Sequence, residues 1–112
     1  MPTRLPTDAN NNPISALRLC TDGAHAVAVS GNSARNTVAF NAETRVISLY
    51  ATTDVYIKFS GNASDGATSA SHFFPAGIYY DFAIGDPRNG NYRYIHALRV
   101  SADGMIYVSE KE

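Results

Sequence analysis

From Leu17 to Glu110 the chain repeatedly sets apolar side chains at every second position, the period of a strand with one buried face. The clearest stretch is the last, YIHALRVSADGMIYVSE, from Tyr94 to Glu110. Two runs rich in β-branched and aromatic residues flank Ser101-Ala102-Asp103-Gly104, where Asp favours a type I turn and Gly suits the left-handed position of a bulged hairpin. The pattern predicts a closing hairpin with Leu98, Val100, Ile106 and Val108 in the core, and Arg99 and Tyr107 pointing the other way. A looser echo, Ser15 to Gly23, matches His96 to Gly104 at Ala, Leu, Arg, Asp and Gly, and reads as a second strand-to-turn transition.

The same period runs through the rest of the chain. Leu17 to Cys20 reads as a short strand, Thr21-Asp22-Gly23 as a turn, and Ala24 to Ser30 as a strand with His25, Val27 and Val29 on one face. Thr37 to Asn41 reads as another short strand. Ile47, Leu49 and Ala51, then Val55, Ile57 and Phe59, share faces across Thr52-Thr53-Asp54 and predict a second hairpin, with Tyr56 and Lys58 outward. Ser60 to Ser71 is a polar, small-residue loop expected at a tip. His72 to Ile84 carries much of the aromatic mass around a Pro-Ala-Gly turn, and Gly85 to Tyr92 is a loop with Asp86-Pro87 and Asn89-Gly90 turn signals. About eight short strands and no helix predict an all-β, antiparallel β-sandwich of jelly-roll-like form over 15–112. Residues 1–14, with Pro2, Pro6, Pro13 and Asn10-Asn11-Asn12, read as an extended N-terminal arm. That arm is either disordered or laid along a neighbouring subunit, where Leu5 and Ile14 would be buried.

Composition narrows the functions. The 112 residues fit one domain, and a charged share of 17% lies below the usual quarter, with small neutral polar residues making up the difference. A net charge of -1 provides no basic patch for nucleic acid and no polybasic segment for a membrane surface. Neither partner is expected. Cys20 has no second cysteine to pair with, and the sequence shows no signal peptide or apolar run of membrane-spanning length, so a soluble, cytoplasmically made chain is expected. His25, His72 and His96 lack metal-ligand spacing, no Gly-x-Ser-x-Gly elbow occurs, and Cys20 reads as an inert buried thiol. Asp54, Asp65, Asp81, Asp86 and Asp103 read mostly as turn residues bonding the backbone. No enzyme, metal or cofactor is expected. Seven tyrosines against no tryptophan favour a subunit interface over a sugar-stacking platform.

Three segments carry a resemblance: Tyr50 to Phe59 with Ala51-Thr52-Thr53-Asp54, Ser71 to Gly77 with His72-Phe73-Phe74-Pro75-Ala76-Gly77, and Leu98 to Glu110 with Val100-Ser101-Ala102-Asp103-Gly104. Their order over residues 45 to 110 resembles small virion accessory proteins of tailed bacteriophages. The resemblance implies a non-enzymatic particle protein located in the virion, a decoration or cement protein, usually trimeric, that binds the major capsid protein, or a head-tail or tail component. A tail-fibre receptor- or glycan-binding module, using the Ser60 to Ser71 and Gly85 to Tyr92 loops, is the alternative. Independently of the likeness, a small disulfide-free domain with aromatic faces predicts a homo-oligomer. Leu5, Ile14, Tyr56, Arg99 and Tyr107 are the candidate interface residues.

Overall fold

Ten strands follow one another without a helix among the residues described by the computed structural model, which are 9–10, 17–86, 88 and 90–112. They are β1 (Leu19–Val29), β2 (Ala34–Arg35), β3 (Val46–Ala51), β4 (Val55–Ser60), β5 (His72–Phe74), β6 (Tyr79–Ala83), β7 (Gly85–Asp86), β8 (Gly90–Asn91), β9 (Tyr94–Arg99) and β10 (Gly104–Lys111). Eight form two antiparallel four-stranded sheets, ordered β1-β10-β3-β6 and β2-β9-β4-β5, while β7 and β8 make a small separate ribbon. The expected arm, with Leu5 and Ile14, lies outside the described residues, apart from an exposed turn at 9–10.

Alternation explains the core. Val27 and Val29 of β1, Ile106 and Val108 of β10, and Ile47, Leu49 and Ala51 of β3 project from the first sheet. Val55 and Ile57 of β4, Ile95 and Ala97 of β9, and Phe74 of β5 project from the second, and all join one buried cluster with Phe40 and Ile84. The pairs β1·β10, β2·β9, β3·β6 and β4·β5 are nested like the two halves of one long ribbon bent back at loop 61–71.

That nesting overturns both predicted hairpins. β9 and β10 lie in different sheets, as do β3 and β4, so Ser101-Ala102-Asp103-Gly104 and Thr52-Thr53-Asp54 are bridges between the sheets. The bridges extend the ladders on either side of them: Thr52 N donates to the Met105 carbonyl at 2.9 Å, one step beyond the Ala51·Ile106 pair, Val100 N to that of Asp54 at 3.4 Å, one step beyond the Val55·Arg99 pair, and Gly77 N to that of Ala51 at 2.9 Å. The face of β9 is also reversed. Ile95 and Ala97 enter the core, whereas Val100 is exposed and Leu98 only half-buried on the outer side. His96 is buried on that same outer side because loop 61–71 folds down over it, tied by Arg35 Nε to the Ala63 carbonyl at 3.1 Å and by Ala67 N to Ser33 Oγ at 2.8 Å. The expected tip is therefore a flap with a buried Ala67.

Two smaller expectations change as well. Thr21-Asp22-Gly23 does not turn the chain; β1 continues through it with a bulge, since a step from Leu19 to Ala24 spans only Lys111 to Ser109 on β10. Asp22 holds φ at 63°, and a Cβ on Gly23 would stand 2.9 Å from Cys20 Cβ and 3.0 Å from Glu110 Cβ. Thr37 to Asn41 forms no strand, because the buried Asn36 side chain replaces the ladder: its Oδ1 accepts from Ile95 N at 2.9 Å and its Nδ2 donates to the Val38 carbonyl at 2.7 Å.

Candidate functional site

The bulge in β1 opens a cleft of about 610 Å³ between β1, the end of β10 and the segment 38–44. Bulges bend a strand and re-aim side chains, and here the strand's inward parity carries His25 rather than an aliphatic residue. Glu110 holds the same parity on β10 as Ile106 and Val108, so it too points inward at the sheet's end. His25 Nε2 lies 2.8 Å from Glu110 Oε2. Glu110 Oε1 accepts from Asn41 N at 2.8 Å and from Thr44 Oγ1 at 2.7 Å, and Phe40 meets the His25 ring edge-on at 5.1 Å. Burial opposes ionisation of Glu110, but the bonds from Thr44, His25 and Asn41 outweigh it and hold the carboxyl below its usual range.

The chemistry of this arrangement is that of a clamp. With both carboxylate oxygens engaged, Glu110 ties the loop carrying Asn41 and Thr44 to the end of β10. Cys20, at the rim, is half-buried instead of buried, and burial raises its pKa, with Glu112 and Glu110 adding to the effect. Both effects disfavour the thiolate form. Among the described residues, no group of three or more His, Cys, Asp and Glu is placed to hold a metal. His96 is likewise engaged, 2.8 Å from Ser60 Oγ, and burial lowers its pKa.

A second feature is the outer face of the first sheet. The registers place Tyr79, Tyr50 and Tyr107 side by side across β6, β3 and β10, and they are 61%, 38% and 50% exposed. Beside this row Lys111 Nζ reaches Asp81 Oδ1 at 2.9 Å and lies 5.4 Å from the centre of the Tyr79 ring. The hydrogen bond to Asp81 raises the Lys111 pKa. On β1 the same face carries the exposed Ala24, Ala26 and Ala28.

The described interface candidates are not brought together. Tyr107 joins the tyrosine row on the first sheet. Tyr56 is half-buried on the outer side of the second sheet, edge-on to Phe73 at 6.3 Å. Arg99 sits at the end where the sheets are bridged, bonded to Asp103 Oδ1 at 2.7 Å and packed close to Gly31. Asp54 does serve its turn, accepting from Ala76 N at 2.9 Å. Sequence reasoning passed over Glu110, Thr44 and Asn41, although a carboxylate on the core parity of an alternating strand was a readable signal for Glu110. No family model, curated protein or solved structure matches the chain.

Proposed function

We propose that this chain is a non-enzymatic structural protein of a phage particle, a decoration or cement protein of jelly-roll form that assembles with itself and binds the capsid lattice. The nested pairing β1·β10, β2·β9, β3·β6, β4·β5 carries the reading. Wrapping one long antiparallel ribbon into two sheets gives such nesting, which supports a jelly-roll reading, an arrangement common in viral capsid domains. The tyrosine row supplies the second support, because aromatic side chains bury large areas at interfaces with little loss of conformational freedom. Fully engaged Glu110 and His96, and a protonated Cys20, agree with a structural part.

The test is binding. Purified protein is mixed with capsids lacking it and sedimented, and particle-bound protein at a fixed stoichiometry is the expected outcome. Failure to bind any capsid, together with absence of the protein from mass spectra of intact virions, would remove the reading. Binding to a glycan array instead would transfer it to the tail-fibre module.

A further inference from the structure

Sheet edges that stay exposed are normally shortened, bulged, charged or interrupted by proline. Of the four sheet edges among the described residues, three have such protection: β1 carries the Asp22-Gly23 bulge, β2 has two residues, and β5 has three and runs into Pro75. β6 is different. It has five residues in unbroken register with β3, and Tyr80, which faces the inner side by its pairing with Leu49, is nevertheless 56% exposed. Exposed Ile78 and Tyr79 lie beside it, and Asp81 is the strand's single charged residue.

The bonding phase of β6 fixes what its open side presents. Ile84 N donates to the Arg45 carbonyl at 2.8 Å, one step beyond the Ala83·Val46 pair. Ladder bonds alternate along an antiparallel strand, so Phe82 and Tyr80 bond β3, while the amides and carbonyls of Tyr79, Asp81 and Ala83 point to the open side. We propose that these groups pair with the same groups of a second copy. β6 meets β6 antiparallel about a two-fold axis at Tyr80, joining two β1-β10-β3-β6 sheets into one.

This inference rests on the reading that the protein assembles with itself, and it names the surface. Centring on Tyr80 sets Tyr79 opposite Asp81 of the second copy in a hydrogen-bonded pair. Its phenol and the Lys111 ammonium then flank the carboxylate. Tyr80 faces its own counterpart, and Ile78 faces Phe82. Centring on Asp81 would instead set two carboxylates opposite each other, which is unfavourable. A two-fold contact makes pairs, in place of the three-fold assembly that the resemblance implies.

The register is testable with cysteines in a Cys20→Ser background. Tyr80 and its counterpart occupy a non-hydrogen-bonded site with Cα atoms about 4.5 Å apart, within disulfide reach. Asp81 and its counterpart are diagonal at about 7–8 Å, at or beyond that reach. Tyr80→Cys should therefore give a covalent dimer on mild oxidation and Asp81→Cys should not. The reverse result overturns the register. Asp81→Pro, which removes an amide from the open side only, should shift light-scattering mass to the monomer with an unchanged circular-dichroism spectrum; a persistent dimer overturns the proposal. If the wild type assembles while neither cysteine cross-links, the β6 contact is wrong and self-assembly stands. A wild type that is monomeric at high micromolar concentration removes self-assembly itself.

Discussion

Glu110 shows how one polar residue on a core parity organises its surroundings. It is 5% exposed, and truncating it leaves the Asn41 amide, Thr44 hydroxyl and His25 ring without their partner. Glu110→Ala is expected to cost about 3 kcal/mol of unfolding free energy, as losses of hydrogen bonds to a buried charge do. Urea denaturation measures it. Gly23 tests the bulge in the same way: a Cβ there meets Cys20 and Glu110 at 2.9–3.0 Å, so Gly23→Ala should destabilise by about 1–3 kcal/mol. Strand parity by itself groups His25 with Val27 and Val29, and Glu110 with Ile106 and Val108. It does not bring the two polar residues together, because that needs β1 to pair with β10, with His25 opposite Val108 and so diagonal to Glu110.

At the scale of elements, the longer strands were legible, while the short ones and the partners were not. Alternation placed Ile47, Leu49, Ala51, Val55, Ile57, Ile106 and Val108 in the core, where they are. The same alternation assigned β9 to the wrong face, since His96 and Leu98 mimic an inward stripe and the covering loop 61–71 has no signature in the β9 sequence. A four-residue turn can close a hairpin or bridge two sheets, and turn chemistry is similar in both. The difference lies in which strands the ladders on either side of the turn join. Asp54→Ala removes the acceptor of Ala76 N and should cost about 1 kcal/mol, because the exposed amide regains water. Ile106→Ala, in the core between the sheets, should cost about 2–5 kcal/mol. Both are read from denaturation midpoints at constant m-value.

For the whole molecule, acid is the natural stress. Folded His96 binds its proton more weakly than in the unfolded chain because burial disfavours the imidazolium. The unfolded state therefore takes up more protons, so stability is full above the ordinary histidine range and falls as pH drops through it. Glu110, held below the usual carboxylate range, contributes in the same sense at lower pH: its stabilisation is present above that range and is lost as pH falls through its folded value. Unfolding free energy measured from neutral to acid pH should decline in two stages, and His96→Gln should flatten the upper one. An undiminished upper stage in that variant would exclude His96 as its source. Sequence alone determined an all-β chain with most of its inward residues, because a two-residue period is a local property of side chains along a strand. Only tertiary structure decided which strands pair, that loop 61–71 closes over His96, that the β1 bulge opens the Glu110 cleft, and that among the described residues β6 is an edge strand. Those outcomes depend on contacts between residues far apart in the chain, and β6 is an edge only because its sheet ends there.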